Sequence, residues 1–277
     1  MGSEDGHAIY RRLATAVRAG SPVVVATVLD GAAAGAKLLV TPGAEPLGTL
    51  GDPALDEVVA RDALGELSAG TSRVRRYGPQ GQAGRTDLGV FVESFAPPPR
   101  MVIFGAIDFA AALARVGKVL GYRVTVCDAR GMFATPARFP VADEVVVRWP
   151  QRYLADEGAD LGPRDAVCVL THDPKFDVPA IVAALATDVG YLGVLGSRRN
   201  HAHRILRLRA VGVDDAGMAR LHAPIGLDIG ARTPEETAVS ICAEIITARS
   251  GRTSGRSLTD TSGPIHEPRA TTSGVPS

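Results

Sequence analysis

Ala96-Pro97-Pro98-Pro99 is the segment that most constrains this chain. Three consecutive residues lack a backbone N–H, so neither a helix interior nor a central strand runs through them. The segment separates two differently patterned halves of a 277-residue chain, a length comfortable for two domains. Residues 1–95 read as a small α+β domain. Helices are predicted over 8–18 and 56–67, with strands over 22–29, 38–41, 71–77 and 88–92, forming an antiparallel or mixed sheet.

Residues 96–250 alternate more regularly. Short apolar strands are predicted at 101–104, 123–127, 143–147, 166–170 and 191–195. Helical segments lie between them: Phe109, Leu113, Val116 and Leu120 mark one face of the first, and 177–186 and 199–211 follow. Strands that are apolar throughout, each leading into an amphipathic helix, imply a parallel sheet covered on both faces. The expected fold is therefore α/β, a Rossmann-like parallel-sheet domain preceded by the smaller α+β domain. The final helix is the best signalled, with Thr233 as N-cap, Pro234 at the first helical position and Glu236 completing a capping box. Ala238, Ile241, Cys242, Ile245 and Ile246 are its expected buried stripe. Residues 251–277, rich in Gly, Ser, Thr, Pro and Arg, are expected to be a disordered tail.

Charge narrows the function. Thirty basic residues balance thirty acidic ones, which argues against a general nucleic-acid binder. Only three of the basic residues are lysines, Lys37, Lys118 and Lys175. No apolar run is long enough to span a membrane, and the acidic Met1-Gly2-Ser3-Glu4-Asp5 start lacks a signal-peptide core. Cys127, Cys168 and Cys242 are far apart in apolar stretches, with neither metal-ligand spacing nor a disulfide framework. Three buried thiols in a reducing cytoplasm are expected.

An open parallel sheet binds ligands beyond the carboxyl ends of its strands, so the loops there carry the functional argument. Gly105-Ala106-Ile107-Asp108 opens like a dinucleotide fingerprint, and Asp128 ends the second strand where a ribose-binding acid belongs. Ile107, however, stands where a second glycine would let backbone approach a pyrophosphate, and Asp108 adds negative charge at the helix mouth. The loops at 171–177, 196–201 and 222–233 gather His172, Lys175, Ser197, Arg198, Arg199, His201 and Arg232, tempered by Asp173, Asp177 and Asp228. Gly226 and Gly230 are expected to leave N–H groups free for a ligand. This basic edge in a neutral protein suits a phosphate-bearing small molecule. Taken singly, each residue also fits a loop salt bridge or helix cap, and Asp177 fits the cap of the helix it precedes.

These motifs resemble the XdhC/CoxI family, maturation factors for molybdenum hydroxylases such as xanthine dehydrogenase and carbon monoxide dehydrogenase. The resemblance rests on Thr171-His172-Asp173-Pro174-Lys175-Phe176-Asp177, Leu195-Gly196-Ser197-Arg198-Arg199 and the run from Pro224 to Glu236. Weaker matches are Gly35-Ala36-Lys37 and Leu47-Gly48-Thr49-Leu50-Gly51, after which Asp52-Pro53-Ala54 replaces the family's Gly-Gly-Cys. The resemblance implies transient binding of the molybdenum cofactor, as molybdopterin or its cytosine dinucleotide form. It also implies a cysteine desulfurase and a molybdenum hydroxylase apoenzyme as partners, homodimerisation, and an accessory rather than a clearly enzymatic role. The cofactor contacts expected here are Gly105, Asp128, His172, Asp173, Lys175, Ser197, Arg198, Arg199, Asp228, Arg232 and Thr233. Two alternatives stand beside this reading: an NAD(P)-dependent oxidoreductase sharing the fold, for which no Tyr-x-x-x-Lys pair occurs, and a ligand-free scaffolding homologue.

Overall fold

The computed structural model describes residues 3–82, 87–171, 173–250 and 255–260. His172 and most of the segment 251–277 lie outside the described residues. The first sheet has five antiparallel strands in the order β3-β2-β1-β5-β4: β1 (Val23–Val28), β2 (Lys37–Val40), β3 (Leu47–Thr49), β4 (Arg73–Tyr77) and β5 (Leu88–Phe95). Helix α1 (Ser3–Arg18) covers one face and α2 (Pro53–Ala69) the other. Side chains alternate along a strand, so Val23 and Val25 join Ile9 on one side. Val24, Ala26 and Val28 join Leu55, Val59 and Ala63 on the other. A helix on each face explains why β1 is apolar without alternation.

The second sheet is parallel and six-stranded, in the order β11-β10-β9-β6-β7-β8. Its strands are β6 (Arg100–Phe104), β7 (Arg123–Asp128), β8 (Glu144–Val147), β9 (Ala166–Val169), β10 (Tyr191–Val194) and β11 (Leu221–His222). The helices are α3 (Asp108–Val119), α4 (Pro150–Glu157), α5 (Pro174–Leu185), α6 (Arg198–Ala210), α7 (Asp215–Ala219) and α8 (Pro234–Arg249). The chain leaves β6 for β7 and β8 on one side and returns to β9, β10 and β11 on the other. This is the doubly wound order, and its switch point lies between the loops after β6 and β9. One core joins α3 and α8 to Met101, Ile103, Val124 and Cys168. The other joins α4, α5 and α6 to Val102, Phe104, Val167 and Leu192.

Two helix faces differ from expectation. Leu120 is 37% exposed, and Ala110, Leu113, Ala114 and Gly117 form the buried face of α3 instead. A Cβ on Gly117 would stand 2.8 Å from Met101 Sδ, so α3 needs small residues to lie close to the sheet. On α8, Ile246 is 43% exposed, whereas Ala238, Ile241, Cys242 and Ile245 are buried. Its N-terminus carries the expected capping box. Helix α5 starts three residues earlier than expected because Asp173, not Asp177, caps it: the Asp173 carboxylate accepts the Lys175 N–H at 3.0 Å. Strands β3 and β11 and helices α4 and α7 were not expected. Each is too short or too polar to show a period. All three cysteines are free and buried. No described helix is long and apolar enough to cross a membrane.

Candidate functional site

The switch point is built on Gly105. Its φ of +110° suits a residue without Cβ, and a Cβ there would stand 3.0 Å from Thr171 Cγ2 and 3.1 Å from Thr171 N. The loops after β6 and β9 therefore meet backbone to side chain.

Asp128 is 3% exposed and fully engaged. Its Oδ2 accepts the Ala106 N–H at 2.8 Å and Arg130 Nη2 at 2.8 Å. Its Oδ1 accepts Arg130 N and Nε, both at 2.9 Å. Burial alone would raise the Asp128 pKa, but the Arg130 and Ala106 donors outweigh it and hold the carboxyl below its ordinary value. The group that faces the site is thus Arg130, with a side chain 46% exposed. Its guanidinium is further stabilised in the charged form by Asp128 and by Asp173.

Around Arg130 stands an aromatic cluster. Its guanidinium lies 4.7 Å from the Phe133 ring centre and 5.9 Å from that of Phe176. Trp149 stacks on Phe176 with centroids 4.8 Å apart, and Lys175 Nζ lies 4.9 Å from the same ring. Arg138 donates to the Ala106 and Phe133 carbonyls at 3.1 and 3.2 Å, and its Nη2 lies 3.4 Å from Asp108 Oδ1. Arg138 thereby answers the acid at the helix mouth. The mouth combines cations with ring faces that are partly open to solvent, an arrangement that holds a planar anionic molecule.

The expected residues fall into three groups. Gly105, Asp128, Asp173 and Lys175 meet at this mouth. Ser197 caps α6 by accepting the Asn200 N–H at 3.2 Å, and Arg198 Nη2 lies 3.6 Å from Asp228 Oδ2 with both side chains 87% exposed. Arg199 follows in the first turn of α6. Thr233 accepts the Glu236 N–H at 3.1 Å, while the Glu236 carboxylate accepts the Arg232 and Thr233 N–H groups at 2.7 and 3.1 Å. Those two backbone donors lower the Glu236 pKa. The expectation of a free Gly226 N–H is corrected: it donates to Glu244 Oε2 at 2.8 Å. The same oxygen accepts the Tyr191 hydroxyl at 2.5 Å, and His222 Nδ1 lies 3.5 Å from Oε1. His222 also stacks on Tyr191.

Five residues at the mouth were missed: Arg130, Phe133, Arg138, Trp149 and Phe176. Signals for two of them existed, since Trp149 is the chain's one tryptophan and Arg130 lies two residues beyond the strand-ending acid. Among the described residues, no group of three or more His, Cys, Asp or Glu side chains is gathered to hold a metal ion.

The XdhC Rossmann domain matches residues 101–245, and the model described as the XdhC and CoxI family matches residues 16–78. The chain belongs to the XdhC/CoxI family. Among its relatives, a probable xanthine dehydrogenase subunit of Bacillus subtilis (strain 168) is 34% identical over 160 residues, covering 58% of this chain and 46% of that protein. The molybdenum cofactor insertion chaperone PaoD of Escherichia coli (strain K12) is 29% identical over 183 residues, covering 63% of this chain and 50% of PaoD. The chain thus spans about half the length of the curated relatives it matches. A crystal structure of a xanthine dehydrogenase from Bacillus halodurans shares the fold, with a TM-score of 0.53 at 20% identity over 90% of this chain and 98% of that one.

Proposed function

We propose that this XdhC/CoxI-family protein is a maturation factor that holds the molybdenum cofactor at the carboxyl edge of its parallel sheet and passes it to a molybdenum hydroxylase. The observation that carries this is the Arg130 mouth, in a chain whose relatives include an insertion chaperone. The cofactor is a pterin with a flat pyrimidine ring and one or more phosphates, and the donor set fits both parts. Phe133 and Trp149 supply faces for the ring, while Arg130, Lys175 and Arg138 supply cations for phosphate. The Asp128 fork fixes Arg130 in advance, so less of its side-chain freedom is lost on binding. Once delivered, the cofactor supplies the metal-centred chemistry of the hydroxylase. The basic residues Arg198, Arg199 and Arg232 and the caps Ser197 and Thr233 belong to the outer rim of this site.

The thiols separate holding from sulfuration. Burial pushes Cys127 and Cys242 up to about 12 and Cys168 well above its ordinary value. A sulfur carrier needs an accessible thiolate, so this chain's own cysteines are poor carriers and a cysteine desulfurase partner would deliver the sulfur. A nicotinamide dinucleotide bound in the ordinary Rossmann mode fits less well. It would want the Asp128 oxygens that Arg130 and Ala106 occupy, and an uncharged helix mouth where Asp108 stands. In the same reading, residues 1–95 and 96–250 are separate domains and the protein acts as a homodimer.

The test is purification from a molybdopterin-competent host followed by pterin extraction. Wild-type protein should carry pterin well above background, and Arg130→Ala and Trp149→Ala should each lower it tenfold or more, about 1.4 kcal/mol. Background pterin in the wild type, or wild-type loading in both variants, overturns the reading.

A further inference from the structure

On the β9–β10 side of the carboxyl edge lies a second cavity, of about 230 Å³, between α5 and α6. Pro174, Asp177, Asn200, His203, Arg204 and Arg207 line it. Its floor is a buried ion pair. Arg204 Nη2 donates to Asp177 Oδ2 at 3.1 Å and to the Leu195 carbonyl at 2.9 Å, with both side chains about 95% buried. The Thr171 hydroxyl donates to the other oxygen of Asp177.

Arg204 Nη1 is buried and has no hydrogen-bond partner. A guanidinium presents its donors in a fixed fork, and a buried charged donor without an acceptor is unusual. Its position follows from Gly196, two residues after β10. A Cβ built there would stand 3.6 Å from both Arg204 Nη1 and the Asn200 Cβ. The unpartnered nitrogen thus sits under that loop. Asp177 is the one acid in the lining, and Arg204 and Thr171 already engage it. Arg207 and His203 are left as excess donors at the rim. A neighbouring group senses the same field: burial and the Arg204 charge together lower the His201 pKa.

We propose that the α5–α6 crevice binds a phosphate group, with Arg204, Arg207, His203 and Asn200 as its donors. Two arginines, an imidazole and an amide offer more donors than a carboxylate's two oxygens need, and they match a tetrahedral phosphate with three or four. The crevice shares no donor with the Arg130 mouth, so it stands without the cofactor reading. Its phosphate is either free in solution or a further phosphate, beyond the one met by Arg130, Lys175 and Arg138, of a ligand held at that mouth.

Calorimetric titration of the full chain with inorganic phosphate tests this. The protein is taken once from a host lacking molybdopterin and once from a competent host. Pterin-free protein should bind phosphate, and Arg207→Gln with His203→Gln should weaken binding at least tenfold; Lys118→Ala, at the amino edge of the sheet, should keep it. Arg204 is left unchanged because it also holds the fold. If pterin-loaded protein no longer takes phosphate, the ligand's own phosphate fills the crevice; if it still does, the site serves free phosphate. Absence of phosphate binding in the pterin-free wild type, or equal binding in the rim double variant, overturns the proposal. Failure of the cofactor reading shows separately, as phosphate binding in a wild type that never carries pterin.

Discussion

The two edges of the parallel sheet differ in a way that separates space from chemistry. The amino edge faces the first half across a cleft of about 1110 Å³, lined by Pro97, Pro98, Pro99, Lys118, Asp143 and Arg164 among others. Much of its charge is already engaged. Lys118 pairs with Asp143 at 2.7 Å, Arg164 donates to the Pro97 carbonyl at 2.5 Å, and Asp165 accepts the Arg100 and Gly162 N–H groups. The carboxyl edge encloses far less volume; Arg130 and Lys175 there pair with Asp128 and Asp173, but Arg207 and an unpartnered Arg204 nitrogen are left over. The larger space is a seam between the two halves. The smaller one carries the surplus of donors over acceptors on which the proposed sites rest.

The comparison breaks most visibly at the ion pair beneath the carboxyl edge. Asp177→Ala should destabilise the protein by about 3–5 kcal/mol in urea unfolding, because it strands the buried Arg204 charge. A loss below about 1 kcal/mol, the range of exposed pairs, would place that pair in solvent and remove the contrast. Next is Gly105→Ala, expected to cost about 1–3 kcal/mol from the strained φ and the approach to Thr171. The same change should reduce pterin loading, since Gly105 sets the distance between the two switch-point loops.

A smaller effect with a defined pH signature comes from Glu244. Burial raises its pKa, but bonds from His222, Tyr191 and Gly226 together hold it below its ordinary value. A carboxyl depressed in the folded state stabilises fully above its unfolded pKa, about 4.3, and loses that contribution as pH falls through the folded value. Glu244→Gln should therefore flatten the acid limb of a stability-versus-pH curve measured below pH 5. An unchanged limb would mean that the three donors do not act on it. Lys118→Ala sharpens the comparison from the amino edge, with a stability cost of about 0–1 kcal/mol and unchanged pterin loading. Loss of pterin in that variant would move the ligand to the large cleft. Smallest is Arg198→Ala, whose exposed pair with Asp228 should leave stability within about 0.5 kcal/mol.

The strands were legible because a sheet covered on both faces demands runs such as Met101-Val102-Ile103-Phe104, and the covering helices bring caps and prolines with them. Helix α4 was not, because its segment buries little beyond Tyr153 and Leu154 and shows no sustained period. The candidate site was half legible. Loop chemistry pointed to Gly105, Asp128, Asp173 and Lys175, which do share the switch point. Trp149 and Phe176 lie apart in sequence and meet because α4, which Trp149 caps, packs against α5, which carries Phe176. Gly226 shows the reverse error: its freedom was inferred from lacking a side chain, whereas Glu244 on α8 takes its N–H.

Sequence alone determined the parallel α/β class, the capped final helix and the family, because each depends on local hydrogen-bonding capacity, side-chain period or contiguous motif. Only the tertiary structure decided which charges are spent. Asp128 turns inward to hold Arg130, Asp177 turns inward to hold Arg204, and Arg198 remains in solvent. Those outcomes depend on which loops are brought together at the switch point and how much water is excluded there, and neither quantity is a property of any single segment.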